Sequence, residues 1–297
     1  MAEEEKRYLN PFTDFGFKKL FGSEPNKELL IDFLNQLLPQ QHRVKDLTYA
    51  RNELLGDTQL DRSAVFDIYC VSPDGEHFIV EMQKAKQIFF KDRSLFYATW
   101  PIREQGVRGG NNWNYKLSAV YLIGILDFVF AENQNDREVC HRVQLKDQQN
   151  QVFYDKLTLI YLEMPKFDKT EAELETSYDK WLYVLKHLPE LTGRPAKLQE
   201  RIFGKLLEVA ELGQFNREEL LAYENSLKHY RDSKNVIDTA FMDGKEEGLA
   251  EGKVEGKVEG EATKALEIVR KALAKNLPLE VIAELTGLSE AEVAALK

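Results

Sequence analysis

The chain has 297 residues, of which 43% are hydrophobic and 11% aromatic, and its formal net charge at pH 7 is −10. This composition can build a sizeable core, which excludes a wholly disordered protein, and the length favours one large domain or two smaller ones. The acidic charge counts against a broad nucleic-acid surface, because phosphate binding depends on Lys and Arg, although a local basic patch can coexist with it.

Common targeting and ligand-binding motifs are missing from the sequence. No apolar run approaches the ~20 residues of a membrane span, and the charged start MAEEEKRYLN differs from a secretory signal. Cys70 and Cys140 lack metal-ligand spacing, the five histidines form no HExxH cluster, and neither GxxxxGK[ST] nor GxGxxG occurs. We therefore expect a cytoplasmic protein with no zinc site, no disulfide framework and no membrane partner.

The first predicted elements are two helices. Thr13 or Asp14 caps a short helix that contains the sequence FGFKKLF. Apolar residues at helical spacing predict a second helix over 27–38, which Pro39 ends. The polar side of this helix carries Glu28, as a solvated helix face would.

Alternating residues predict a hairpin of two strands over 64–71 and 77–83, joined by the turn sequence SPDG. Centring the hairpin on this turn places Asp67 opposite Glu81, give or take one residue. Opposed side chains on one face lie ~5 Å apart, and like charges there are destabilising. A bound divalent cation would explain such a pair, and two edge strands with solvated acids are the alternative. Gln83 points the same way as Glu81, and strand alternation puts Asp67 and Tyr69 on one face of the first strand and Phe66 on the other.

Residues 88–99 are predicted to form a helix on which Arg93 and Tyr97 share a face, with an interruption or kink at Trp100-Pro101. The glycines and asparagines of 106–112 predict a loop. Alternating or continuous apolar runs predict three further strands, over 117–130, 139–145 and 156–162.

The second half of the chain is predominantly helical in pattern. Helices are predicted over 178–187, 196–212 and 217–231. Five glycines then recur every four residues from 244 to 260, and each costs ~1 kcal/mol in a helix interior relative to Ala. They predict a flexible or marginally helical linker, with a glycine-faced helix association as the alternative. The predicted domains are 1–165, a helical extension over 166–243, a charged glycine-rich linker over 244–262 and a helical module over 263–297.

The last segment, LPLEVIAELTGLSEAEVAALK, predicts a helix-turn-helix pair in which Ser289 and Glu292 form a capping box. A DNA-reading helix would need cations, yet this one carries Glu290 and Glu292 and only the terminal Lys297. We favour a protein-contact or packing module over a groove-binding one. The C-terminal helical region is also a candidate for homo-oligomer contacts.

Several segments in one order resemble the PD-(D/E)XK nuclease superfamily and, within it, the recombination-promoting nuclease and transposase-like family. The resemblance covers about residues 8–165 and is carried by NPFTDFGFKKLFG, NKELLIDFLNQLL, FDIYCVSPDGEHFIVEMQ, FFKDRSLFYATW and LSAVYLIGILDF. It implies an α/β, restriction-endonuclease-like αβββαβ core with a mixed central sheet. It also implies Mg²⁺- or Mn²⁺-dependent hydrolysis of DNA, in recombination or transposon-like mobility.

The resemblance also assigns roles to the hairpin residues. Asp67 matches the motif aspartate, and Glu81-Met82-Gln83 matches the Glu-x-Lys element. Asp67 and Glu81 would hold the metal with the backbone carbonyl of Met82. Gln83 stands where Lys is usual, and it can position water by hydrogen bonds but offers no charge. Lys84 is adjacent and is expected to point to the opposite face.

The following helix offers substitutes for the missing lysine. Lys91 or Arg93 could supply the cation, and Arg93 and Tyr97 match the family pattern as phosphate contacts or site organisers. A buried Arg–Tyr pair that supports the sheet is the alternative. Asp14 and Glu28 match further positions, either as accessory acids or as capping residues. A nuclease fold that binds DNA or protein without cutting remains the alternative function, as does an interaction protein that assembles through its tail.

Overall fold

The computed structural model describes residues 6–39, 42–51, 53–54, 64–108 and 114–296. They form two compact units, residues 1–234 and residues 235–297. The first unit contains the sheet. It covers the whole predicted domain 1–165 and most of the predicted helical extension 166–243. Within the described residues, no helix combines the length and the apolar character that a bilayer crossing requires.

Two helices open the first unit, as the sequence predicted. Helix α1 is Asp14–Phe21, and the Thr13 hydroxyl at its N-cap accepts a hydrogen bond from the backbone N–H of Gly16. A Cβ on Gly16 would lie 2.2 Å from the Asn10 carbonyl oxygen, so only glycine permits this close turn. Helix α2 is Lys27–Leu37.

The strands form a mixed six-stranded sheet and a separate two-stranded ladder. Their bounds are β1 Thr48–Tyr49, β2 Glu53–Leu54, β3 Ala64–Val65, β4 Ile68–Val71, β5 His77–Gln83, β6 Val120–Leu126, β7 Cys140–Lys146 and β8 Val152–Glu163. The sheet order is β1-β4-β5-β6-β8-β7, while β2 pairs with β3. Strand β6 is parallel to β5 and to β8, and the other ladders are antiparallel. The predicted α/β class with a mixed central sheet is confirmed.

Each face of the sheet packs against its own set of helices. Phe78 and Val80 of β5 lie in a large core with apolar residues of α1, α2, α4 (Ser177–His187) and α5 (Arg201–Ala210). Ile79 lies in a second core under α3 (Phe90–Arg108), which includes Phe90. Because side chains alternate along a strand, Glu81 and Gln83 belong to the α3 face.

Helix α3 differs from its prediction, because it runs nine residues beyond Thr99 and passes through Pro101 without ending. Proline removes one backbone hydrogen bond, but Ala98 is buried and Ile102 packs in the same core, so tertiary contacts hold the helix on both sides of it. Gly106 lies inside this helix rather than in the predicted loop, and residues 109–112 of that loop lie outside the described residues.

The remaining predicted elements are present with shifted ends. The strand predicted over 117–130 covers only Val120–Leu126, because the chain bends at 127–128 and Phe130 N then donates to the carboxylate of Glu163. The helix predicted over 196–212 covers Arg201–Ala210, because the Arg194 guanidinium ties up the carbonyl of Leu198 in the preceding loop.

Helix α6, Arg217–Ala274, is continuous through the glycine-rich segment, where the sequence predicted a flexible or marginally helical linker. The residues between the glycines are mostly Glu, Lys and Ala, which are strong helix formers. Ion pairs four residues apart, such as Lys257–Glu261, add to this preference.

The second unit ends in the predicted pair of short helices, α7 (Leu279–Thr286) and α8 (Glu290–Ala295). Gly287 between them has φ of 72°, and Ser289 and Glu292 form the predicted capping box. A small core of Val269, Ala272, Ile282 and Val293 joins them to the end of α6.

Candidate active site

The hairpin brings the two predicted acids together. The β4–β5 ladder pairs Ile68 with Val80, and continuing this register places Asp67 opposite Glu81, as the turn sequence predicted. Asp67 itself lies in a bend between β3 and β4. The bend breaks the strand alternation, so Phe66 packs on the α3 side with Tyr69, although strict alternation predicted opposite faces.

Backbone amides anchor both carboxylates. Asp67 Oδ2 accepts a hydrogen bond from the Met82 N–H at 2.8 Å, and Glu81 Oε1 accepts one from the Asp67 N–H at 3.1 Å. Each acid is therefore held by backbone on the opposite side of the hairpin. Among the described residues, these contacts leave Asp67 Oδ1 and Glu81 Oε2 without a hydrogen bond, one oxygen on each side of the pair.

The electrostatic environment disfavours charge on both acids. Glu81 is only 6% exposed, and burial, with the neighbouring Asp67 carboxylate as a second cause, raises its pKa to about 8. Burial also raises the pKa of Asp67. Two neighbouring carboxylates, of which Glu81 is buried and Asp67 half-buried, are costly to ionise together, and a cation between them would remove much of that cost.

Gln83 and Arg93 form the next layer of the site. The Gln83 amide nitrogen donates to the Ala85 carbonyl at 2.9 Å, and its oxygen accepts from the Arg93 guanidinium at 2.5 Å. The same guanidinium lies 4.0 Å from Glu81 Oε2 and donates to Gln87 at 2.6 Å. The Arg93 side chain is 30% exposed, so it reaches solvent as well as the acids.

Tyr97 supports Arg93 from the same face of α3. The Arg93 guanidinium carbon lies 5.6 Å from the centroid of the Tyr97 ring, a cation–π contact. Tyr97 in turn packs edge-on against Phe66 with ring centroids 5.1 Å apart. The predicted pairing of Arg93 with Tyr97 is therefore present beside the acids.

Charged residues of helix α1, together with Lys84, also act on the acidic pair. Asp14 pairs with Lys18 at 2.9 Å. The Lys18 charge partly offsets the rise that burial causes in the pKa of Asp67 and of Glu81, whereas the Asp14 charge adds to the rise at Asp67. Burial lowers the pKa of Lys84, and the carboxylates of Asp14 and Asp67 partly offset this shift. Lys84 was expected to point to the face opposite Glu81, and its Nζ lies 5.9 Å from the ring centroid of Tyr230, which packs against the core on the α1 side. From there its charge also reaches Asp67.

Two predicted residues have other partners. Glu28 is bound by Arg201 and Lys205 of α5, and these contacts lower its pKa to about 2. Lys91 pairs with Glu132 and lies over the Phe130 ring. Neither contact involves the acidic pair.

Sequence reasoning missed Asp127 and Tyr230. Asp127 N donates to the Gln83 carbonyl at 3.0 Å, and its carboxylate accepts from the Tyr230 hydroxyl at 2.9 Å. One signal was available, since Asp127 directly follows the apolar run of β6, and polar residues that end buried strands often line sites. Tyr230 comes from α6, and no spacing in the sequence connects it with β6.

The oxygen donors fit a hard divalent cation. Asp67, Glu81 and the Met82 carbonyl offer only oxygen ligands, which Mg²⁺ and Mn²⁺ prefer. Among the described residues, no group of three or more His, Cys, Asp or Glu forms a metal-ligand set. A two-carboxylate site suits Mg²⁺, which commonly keeps several waters and binds one or two carboxylates together with substrate phosphates.

A comparison with protein families matches residues 11–240 to the model described as PD-(D/E)XK nuclease family transposase. Comparisons with curated proteins and with solved structures give no match. The matched region spans the whole sheet, α3 and the Asp67–Glu81 pair, and more than half of the chain. The sheet is accordingly a restriction-endonuclease-like one, and the chain belongs to the PD-(D/E)XK nuclease family of transposases.

Proposed function

We propose that the protein is an endonuclease that hydrolyses DNA phosphodiester bonds with a bound Mg²⁺ or Mn²⁺, and that it acts in recombination or transposon-like mobility. One observation carries the proposal. The buried Glu81 and the half-buried Asp67 are held opposite each other by reciprocal backbone hydrogen bonds, and among the described residues one oxygen of each carboxylate accepts no hydrogen bond. A purely structural role would not need two acids that raise the cost of ionising each other.

Asp67, Glu81 and the Met82 carbonyl would hold the cation. When bound, such an ion lowers the pKa of a coordinated water and neutralises charge on the phosphate. The backbone amides of Asp67 and Met82 fix the two carboxylates before any ligand arrives, so the donor oxygens need little reorganisation.

Arg93 would take the electrostatic role that lysine has in related sites. Its guanidinium is always charged and lies 4.0 Å from Glu81, which places it where a phosphate bound at the acids could be reached. Gln83 then acts as a positioning residue, because its amide oxygen holds the guanidinium and its amide nitrogen is fixed by the Ala85 carbonyl. The Tyr97 ring supports the same guanidinium through its cation–π contact.

Plasmid cleavage in the presence of Mg²⁺ or Mn²⁺ tests this function. Wild-type protein should nick or linearise the plasmid, and Asp67→Asn should not. Asp74→Asn is a matched control, because Asp74 is an exposed acid in the turn of the same hairpin. Equal cleavage by wild type and Asp67→Asn would refute the assignment.

A second function is supported by the contacts of Gln83. Both ends of its amide are already hydrogen-bonded, and it carries no charge, so the site could bind DNA or protein without cutting it. DNA binding without cleavage under Mg²⁺, Mn²⁺ or any other divalent ion would favour this binding module over the nuclease.

A further inference from the structure

A groove lies on the first turns of α3, beside the acidic pair. Its volume is about 750 Å³, and it is lined by Gln87, Ile88, Phe89, Asp92, Arg93, Phe96 and Tyr97. This volume falls within the ~300–1,000 Å³ of pockets that enclose small ligands. Every described residue that lines the groove lies within 87–97 of the first unit.

The groove exposes apolar side chains to solvent. Ile88 is 90% exposed, Phe89 71% and Phe96 43%, while most large apolar residues of the first unit lie in its two cores. Neighbouring apolar side chains exposed around one concave surface commonly mark a binding site. None of the described residues covers Ile88 or Phe89.

Arg93 supplies a positive charge to the groove that suits an anionic ligand. The segment KAKQIFFKDR, residues 84–93, contains four Lys or Arg residues and one Asp, but Lys91 pairs with Glu132 and Lys84 lies over the Tyr230 ring. Among the described residues, Arg93 is the cation that lines the groove, together with the acid Asp92. Exposed aromatics interleaved with basic residues are the combination by which proteins bind single-stranded nucleic acids, since bases stack on the rings and cations neutralise phosphates.

Arg93 connects the groove to the acids. It lines the groove, donates to Gln83 at 2.5 Å and lies 4.0 Å from Glu81. A nucleotide in the groove would therefore lie next to the nucleotide whose phosphate reaches the acids. This continuity, with the charge of Arg93, favours DNA over a protein partner.

We propose that the groove binds an unpaired base of the DNA substrate, stacked on Phe89 and Phe96 and adjacent to the phosphate held at the acids. This proposal rests on the proposed function and narrows its substrate to DNA that is single-stranded or locally unpaired. A base within an intact duplex has both faces covered by its neighbours, so it cannot stack on these rings without leaving the helix.

Binding measurements on the full-length protein test the proposal. Ca²⁺ would replace Mg²⁺, and fluorescence anisotropy would follow three labelled DNAs: a single strand, its duplex, and the duplex with a central unpaired loop. Phe89→Ala and Phe96→Ala should each weaken binding of the single strand and the looped duplex by about tenfold. Binding of the perfect duplex should change little. 2-Aminopurine in the loop should be quenched by wild type and less by either variant.

Leu95→Ala is the matched control, because Leu95 is exposed on the same helix but does not line the groove. It should bind all three DNAs as wild type does. Circular dichroism and the melting temperature would confirm that each variant is folded, and a variant that fails this check would be replaced by Phe→Leu, which keeps the apolar volume without the aromatic ring.

Three results would overturn the proposal. Phe89→Ala and Phe96→Ala could bind unpaired DNA as wild type does, or could lose duplex binding to the same degree. Alternatively, sedimentation could show a wild-type dimer that both variants dissociate, which would assign the groove to a second copy of the chain. Plasmid cleavage separates the two proposals: a protein that cuts DNA without these aromatic effects refutes only the groove, and one that stacks unpaired bases but never cuts refutes only the nuclease.

Discussion

Two glutamates of this protein are buried to nearly the same degree but differ in their partners. Glu163, at the end of β8, is 0% exposed, and its carboxylate contacts Phe130 N at 2.8 Å, Asn133 Nδ2 at 3.0 Å and Lys166 Nζ at 2.7 Å. Glu81, at the end of β5, has one backbone N–H, a second acid and an arginine 4.0 Å away.

The difference separates a structural acid from a candidate catalytic one. A buried carboxylate with several donors is a satisfied group that ties strands and turns together. A buried carboxylate beside another carboxylate retains an unmet need for positive charge, and such strained ionisation is typical of functional sites. If burial alone identified catalytic acids, Glu163 would be a stronger candidate than Glu81.

Neutralising the site acid should have the largest effect on activity. Asp67→Asn should lower plasmid cleavage by about a thousandfold, because it removes a charged metal ligand while keeping the size of the side chain. Initial cleavage rates under Mn²⁺ would measure this loss. Glu163→Gln should keep the wild-type rate per folded molecule, and a comparable loss in that variant would erase the distinction between the two acids.

Glu163→Gln should instead reduce stability. Removing its charge leaves Lys166 and the surrounding donors poorly matched in a buried position, which costs about 3 kcal/mol of unfolding free energy. Urea denaturation followed by circular dichroism would measure the change. An unfolding midpoint identical to that of wild type would show that the Glu163 contacts contribute nothing.

Glu81→Gln should have the opposite effect on stability without metal. The folded pKa of Glu81 is raised from 4.5 to about 8, so the folded state binds more protons than the unfolded state between these values. The free energy of unfolding therefore falls as the pH rises from about 4.5 to about 8, because in this range the folded state must keep a proton that the unfolded state has released. At pH 8.5 in EDTA, Glu81→Gln should gain on the order of 1–3 kcal/mol.

The same denaturation experiment at pH 4 is the internal control for Glu81→Gln. There the glutamate is protonated in the folded state and mostly protonated in the unfolded state, so the gain should shrink. A gain of equal size at both pH values would show that packing, rather than ionisation, explains the effect.

Arg93→Lys should produce a smaller loss of activity. Lysine keeps the charge but lacks the planar fork whose two nitrogens donate separately to Gln87 and Gln83, so cleavage should fall by about tenfold with metal affinity unchanged. Arg142→Lys is the matched control, since Arg142 on β7 donates to the Leu37 carbonyl. A larger loss of metal affinity than of cleavage rate would place Arg93 in a structural role.

The sequence predicted the acidic pair because the turn SPDG sets the hairpin register, and register follows from turn geometry. It misplaced Phe66 because a bend at Asp67 interrupts the alternation, and nothing in the residue pattern locates such a bend.

The extents of the helices were harder to predict than their existence. Pro101 suggested an interruption of α3, but the core contacts of Ala98 and Ile102 outweigh one lost hydrogen bond. The glycines of α6 suggested a linker, but the strong helix formers between them dominate. In both helices, the neighbouring residues outweigh the helix-breaking preference of a single proline or of isolated glycines.

Calorimetric titration of the full-length protein with Mn²⁺ provides the decisive measurement. Wild type and Glu163→Gln should bind the ion with similar affinity, and Asp67→Asn and Glu81→Gln should show no measurable uptake. Uptake that persists unchanged in Asp67→Asn and Glu81→Gln would mean that the paired carboxylates do not hold a metal.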